Sequence, residues 1–196
     1  MIIYLTRHGQ TTGDIENRYG GDYDDHLTDI GKQQSAQLAE RLSNKGIGLL
    51  FASPLIRTKE TATVIAERLS LVTNIFDDFR ERNSYGILTG MTKDEALQKY
   101  PDQIQILKDV RATVEGAEEY ASFQQRIINA LATISQEQVD RIAIVTHGGP
   151  MRLIFRDILE LGEIDVDDCA FAVLEADNDT YTLLDKSGIT IKKQLS

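Results

Sequence analysis

Apolar residues along this chain fall into two recurring patterns, and their alternation predicts the fold. The first is a short unbroken run: Ile2-Ile3-Tyr4-Leu5, then Leu49-Leu50-Phe51-Ala52, then Ile142-Ala143-Ile144-Val145. Runs of this length without polar interruption read as strands covered on both faces. The second is a stripe at helical spacing. Leu38, Ala39 and Leu42 share a face of a helix that Thr28 can N-cap and that runs to about Asn44, with Gly46 beyond it. Ala62, Ile65, Ala66 and Leu69 mark a second helix after Ser53-Pro54, and Tyr120, Phe123, Ile127, Ala130, Leu131 and Ile134 mark a third that starts near Glu118. Thr92-Lys93-Asp94-Glu95 is a capping box opening a short helix that stops before Pro101. Asn74-Ile75-Phe76 reads as a short strand, and Cys169–Glu175 and Thr180–Leu184 as two more, joined through the turn residues Asp177-Asn178-Asp179. The order predicts a three-layer α/β/α sandwich whose central sheet is largely parallel with an antiparallel C-terminal edge.

Length and charge narrow the picture. At 196 residues the chain suits one domain over 1–196, with a flap or insertion around 77–117, within which 101–116 shows no firm period. No apolar run approaches a membrane span, the opening run lacks a basic leader, and the single Cys169 cannot form an internal disulfide. A cytoplasmic location is expected from these features. With 21 basic against 31 acidic residues the formal charge is −10, which argues against nucleic acid and anionic membranes as partners. An anionic small molecule would need a locally basic pocket.

Such a pocket can be assembled from strand ends. Ligands on open α/β sheets gather at the carboxyl ends of strands, where Arg7-His8-Gly9 is expected. Alone, that tripeptide reads equally as a polar strand end. A long polar loop over 10–26 follows it, and loops of that length in a compact domain are functional or disordered. Arg57 lies in the first turn of its helix, where a cation opposes the macrodipole unless an anion is near; a solvated surface arginine is the ordinary alternative. The strand over 141–146 also ends in histidine and glycine, His147-Gly148-Gly149-Pro150. Pro150 suits a first helical turn and places Gly148 and Gly149 at its start. A core histidine at a strand end is the alternative for His147.

Five segments, in order, resemble the histidine phosphatase superfamily, the phosphoglycerate mutase-like fold. Arg7-His8-Gly9-Gln10-Thr11 is similar to its signature. Leu27-Thr28-Asp29-Ile30-Gly31-Lys32-Gln33-Gln34-Ser35 and Ser53-Pro54-Leu55-Ile56-Arg57-Thr58-Lys59-Glu60-Thr61-Ala62 resemble two further blocks. Gly116-Ala117-Glu118 with Phe123 and Arg126, and Val145-Thr146-His147-Gly148-Gly149, complete the set. The resemblance implies His8 as nucleophile, forming a phosphohistidine that water hydrolyses, with Arg7, Arg57 and His147 holding the phosphoryl oxygens and Gly148 adding a backbone N–H. It implies Glu81 as the acid that protonates the leaving oxygen. Thr11, Asp14, Asn17, Arg18 and Tyr85 are assigned to the substrate pocket.

Three departures from the family pattern stand out. The gap from Glu81 to Gly86 is one residue longer than usual, and arginines flank Glu81. Asp14 replaces an asparagine and would repel phosphate unless Arg18 or Arg57 neutralises it. His26 replaces a proline and is expected at the surface. The implied function is a metal-independent phosphomonoesterase on small phosphorylated metabolites, with no cofactor. Alternatives are a cofactor-dependent phosphoglycerate mutase, or a fructose-2,6-bisphosphatase or α-ribazole phosphatase type of specificity. A non-catalytic phosphate binder would not need both histidines. A zinc hydrolase is not expected either, since the three histidines include no close pair on one helix and there is a single cysteine. Nothing in the sequence indicates the oligomeric state.

Overall fold

A computed structural model describes residues 1–177 and 180–192. The described residues form a six-stranded sheet in the order β3-β2-β4-β1-β5-β6. Its strands are β1 (Ile2–Arg7), β2 (Leu49–Ala52), β3 (Thr73–Ile75), β4 (Arg141–Thr146), β5 (Ile164–Asp177) and β6 (Thr180–Ile191). The first four run parallel, while β5 and β6 are antiparallel to their neighbours. The fold class is as the periodicity predicts. β5 and β6 extend well beyond the predicted strands because their added residues alternate buried and exposed, as in Ile164-Asp165-Val166, and so carry no apolar run. Of the predicted turn Asp177-Asn178-Asp179, Asp177 ends β5, and Asn178 and Asp179 lie outside the described residues.

Two cores explain why β1 and β4 each carry an unbroken apolar run, Ile2–Leu5 and Ile142–Val145. Ile3, Leu5, Ile142 and Ile144 face α6 (Tyr120–Ile134). Tyr4, Ala143 and Val145 face α2 (Asp29–Leu42) and α3 (Ile56–Leu69), packing with Leu38, Leu42 and Ile65. At roughly 25 cal/mol per Å² of apolar area, this two-sided burial is the main force holding the central strands. Thr28 caps α2 through the N–H of Gly31, and Thr92 and Glu95 form the predicted capping box of α4 (Lys93–Lys99). Pro101 restarts a helix as α5 (Pro101–Ile106), and Tyr100 separates it from α4. A short helix, α1 (Thr12–Ile15), interrupts the long loop, and α7 (Gly148–Leu153) follows β4 and continues into a wider π-type turn, Ile154–Ile158.

β1 and β4 are adjacent, and Arg7 pairs with Thr146 in register. His8 and His147, the next residue of each strand, therefore emerge side by side at the carboxyl edge of the sheet. The N–H of His8 still donates to the carbonyl of Thr146 at 3.1 Å, so the two ends are locked together before any side-chain contact is made.

Candidate active site

The rings of His8 and His147 lie edge to face with centroids 5.1 Å apart. Both are buried, His147 completely. His8 Nδ1–H donates to the carbonyl of Gly9 at 2.8 Å, which leaves the Nε2 lone pair free of the backbone. His147 is held the other way round: its Nε2–H donates to Ser53 Oγ at 2.7 Å and its Nδ1 is the acceptor. Between the two lone pairs sits one donor. Arg57 Nε–H lies 3.2 Å from His8 Nε2 and 3.2 Å from His147 Nδ1. Burial, reinforced by the positive charges of Arg57 and Arg7, pushes both imidazoles well below the ordinary histidine range and keeps them neutral.

Arg57 is not a surface arginine. It is buried at the start of α3, and the anion that its position calls for is Asp25, whose Oδ1 accepts from Nη1 at 2.9 Å. Nη1 also donates to the carbonyl of Tyr23 and Nη2 to that of Gly21. Of five guanidinium N–H groups, three are thus spent on the loop over 21–25, leaving Nε–H and one Nη2–H for a ligand. The other oxygen of Asp25 accepts from Gly13 N–H, so this one carboxylate ties the loop to both α1 and α3. Arg7 is anchored through Nη1 to the carbonyl of Val166 at 2.7 Å and to Asp168 at 3.1 Å. Its Nε is buried without a partner, a donor that costs on the order of 1–3 kcal/mol until an acceptor arrives.

Glu81 reaches the same site from the polar segment after β3. Its Oε2 accepts from Gly149 N–H at 3.0 Å and its Oε1 from the N–H of Arg82 at 2.8 Å. A methyl group on Gly149 would lie 1.9 Å from Oε1, so only glycine admits the carboxylate here. The flanking arginines turn away: Arg80 pairs with Asp77, and Arg82 donates to the carbonyls of Glu118, Val110 and Ala112.

A cavity of about 400 Å³ opens over these groups. Its lining contains seven arginines and lysines against four carboxylates, the locally basic pocket that an acidic protein needs to hold an anion. Arg7, His8, Thr11, Asp14, Arg18, Arg57, Glu81, Tyr85 and Gly148 all line it. His147 does not; its ring lies behind Arg57. Asn17 is exposed with a left-handed backbone at φ 53° and is not among the lining residues. Asp14 is paired neither with Arg18 nor with Arg57, which are taken by Glu16 and Asp25. Instead its Oδ2 accepts from the N–H and hydroxyl of Thr11, closing a capping box on α1. The ring of Tyr85 meets that of Tyr19 at a tilt, centroids 5.0 Å apart, and burial pushes its phenol up. His26 is exposed and meets Glu60.

The sequence profile of the histidine phosphatase superfamily (branch 1) matches residues 3–187. The chain belongs to that superfamily. This histidine phosphatase is 33% identical over 159 residues to "Phosphoglycerate mutase-like protein 4" of Arabidopsis thaliana, covering 78% of this chain and 69% of the relative. It is 29% identical over 185 residues to "Phosphoserine phosphatase 1" of Hydrogenobacter thermophilus, covering 93% and 85%. Among solved structures, Bacillus stearothermophilus YhfR superposes with a TM-score of 0.85 at 24% identity, covering 93% of this chain and 94% of that one. Together these relationships support a general phosphatase, a phosphoric monoester hydrolase. Among the described residues no helix is long and apolar enough to cross a membrane.

Residue-type reasoning missed Asp25, Ser53 and Asp168. Ser53 lies within a matched segment but carried no role, and Asp25 follows Asp22 and Asp24 in a stretch that reads as a solvated acidic loop. The pair Thr11 and Asp14 did carry a usable signal, since a hydroxyl residue followed three positions later by a carboxylate is a capping pattern.

Proposed function

We propose that this histidine phosphatase is a metal-independent phosphomonoesterase for small phosphorylated metabolites of the cytoplasm, working through a phosphohistidine at His8, with residues 77–117 as the cover of a single domain. The observation that carries this reading is the unprotonated Nε2 of a neutral, cavity-lining His8, whose lone pair meets the Arg57 N–H and no backbone group. His8 Nε2 attacks phosphorus in line as the ester P–O bond breaks. The N–H of Arg57 swings from the lone pair to a phosphoryl oxygen, the buried Nε–H of Arg7 takes another, and the charge spread over the oxygens is stabilised without a metal. Once the incoming phosphoryl group has drawn the Arg57 N–H away from Nδ1, His147 adds a donor in its other tautomer, with the proton on Nδ1 and Nε2 accepting from the Ser53 hydroxyl. The leaving alkoxide takes the proton of the Glu81 carboxyl. Water then gives its proton back to the Glu81 carboxylate, attacks phosphorus, and breaks the P–N bond to release phosphate and neutral His8. The relatives' names span a mutase-like protein and a phosphoserine phosphatase, so a phosphomonoester is their common denominator rather than one leaving group.

The test is Glu81→Gln, followed in single turnover with EDTA present. Removing a general acid is worth about 10²- to 10⁴-fold on an alkyl ester, whose leaving oxygen needs the proton. The same change should matter far less for p-nitrophenyl phosphate, whose phenolate leaves unaided. Equal losses on both substrates would remove Glu81 from this role. Loss of wild-type turnover in EDTA would contradict metal independence.

A further inference from the structure

One side chain ties the acid Glu81 to a distant part of the cavity wall. Arg82, the next residue, is buried, and its guanidinium grips main chain rather than carboxylates. Nη1 donates to the carbonyl of Val110 at 2.8 Å, Nη2 to that of Ala112 at 3.0 Å and Nε to that of Glu118 at 3.0 Å. The ring of Tyr120 lies beneath, its centroid 5.2 Å from the guanidinium carbon. Residues 107–110 and 112 line the cavity, so this stretch of wall is seated on the neighbour of the acid. The backbone of that neighbour also touches the acid itself: Arg82 N–H donates to Glu81 Oε1 at 2.8 Å, while Gly149 N–H holds Oε2. The stretch from Glu81 to Gly86, one residue longer than the family pattern, passes through a tight turn closed by Ser84 N–H on the carbonyl of Arg82 at 2.7 Å.

The chain before the acid is pinned in the same manner, by Arg126 on the carbonyls of Asp78 and Arg80 at 2.7 and 3.0 Å. Beyond the acid, the wall over 107–112 has one further tether: Arg111 reaches Asp157 on the π-type turn at 3.3 Å. Arg111 is exposed, so that ion pair constrains the wall weakly. The three bonds from Arg82 are charge-assisted and shielded from water, and they dominate. We infer that Arg82 is a positioning residue that makes the seating of the wall over 107–112 and the aiming of Glu81 one event. With the wall seated, Arg82 is fixed at both ends and its N–H holds the carboxyl group; with the wall lifted, the side chain loses its anchors and the acid its aim. Proton donation to the leaving oxygen is thereby confined to substrate that the wall encloses. This rests on the phosphomonoesterase reading, with Glu81 as its acid, and deepens it.

The experiment is a double-mutant cycle of Arg82→Met and Glu81→Gln, read in single turnover on benzyl phosphate and p-nitrophenyl phosphate. The two esters are close in size, but only the benzyl alkoxide needs a proton to leave. Arg82→Met should slow benzyl phosphate by about 10- to 10²-fold, the cost of a misplaced catalytic group, and p-nitrophenyl phosphate far less. In the Glu81→Gln background the same change should cost little more, because the group it aims is gone. Trypsin should also cut after Lys108 and Arg111 faster in Arg82→Met than in the wild type. Where Arg82→Met fails to fold, Arg82→Lys gives the same reading, since a single ammonium cannot span all three carbonyls. Equal losses on both esters, or the same loss with and without Glu81, would overturn the inference and make Arg82 a structural or substrate-contacting residue, with the phosphatase reading intact. Unchanged cutting after Lys108 and Arg111 would overturn it too. If Glu81→Gln alone slows both esters equally, or the wild-type enzyme does not cleave benzyl phosphate, the acid reading fails and takes this one with it.

Discussion

His8 and His147 end adjacent parallel strands, precede a glycine each, and lie in the same buried environment, yet the protein holds them in opposite ways. His8 is fixed by its own backbone through Nδ1, and its Nε2 faces a cavity. His147 is fixed by a distant side chain, Ser53, through Nε2, and its Nδ1 faces Arg57 rather than the cavity. On the proposed mechanism, the same residue type at the same sheet position is thereby divided into a nucleophile and a supporting group. Tautomer and access, rather than sequence, make the division.

The largest expected effect follows from that division. His8→Ala should lower kcat by about 10⁴- to 10⁶-fold, as loss of a nucleophile does. His147→Ala should cost about 10²- to 10³-fold, as loss of one stabilising donor does. Steady-state kinetics on p-nitrophenyl phosphate checks both, and equal losses would erase the distinction.

A smaller effect should follow from the tether. Ser53→Ala strands the buried Nε2–H of His147, which should cost about 1–3 kcal/mol in denaturant unfolding. Burial also makes the pair a pH sensor. Both imidazoles have folded pKa values pushed well below 6.5, so the unfolded chain binds more protons as pH falls below that value. Their contribution to stability is fully present above pH 6.5 and is lost as pH falls toward the folded values, by up to about 1.4 kcal/mol per pH unit for each ring. His8→Gln and His147→Gln should each remove part of that slope. A slope unchanged in both variants would mean that neither ring is held neutral.

Much of this arrangement was legible in the sequence because it is local. The strand runs, the helix stripes, both histidine–glycine ends and the capping box at Thr92–Glu95 each occupy a few consecutive residues. What stayed hidden depends on long-range meetings. Ser53 meets His147 across 94 positions and Asp25 meets Arg57 across 32, and neither residue carries a mark of its partner. Arg57 looked like an unusual helix start and turned out to be anchored by a protein carboxylate as well as aimed at the site. Asp14 looked like a charge near phosphate, while its oxygen serves a helix cap. The edge strands β5 and β6 were underestimated for a different reason: acidic and basic residues on their exposed positions break the apolar pattern that defines β1 and β4.

The central claim is that the phosphoryl group passes through His8 Nε2. Rapid mixing with ³²P-labelled p-nitrophenyl phosphate, a quench in base and peptide mapping would test it directly. A base-stable, acid-labile label on the peptide carrying His8, absent in His8→Ala and still formed in His147→Ala, is the predicted result. A label on His147, or full turnover with no labelled protein at any mixing time, would contradict it.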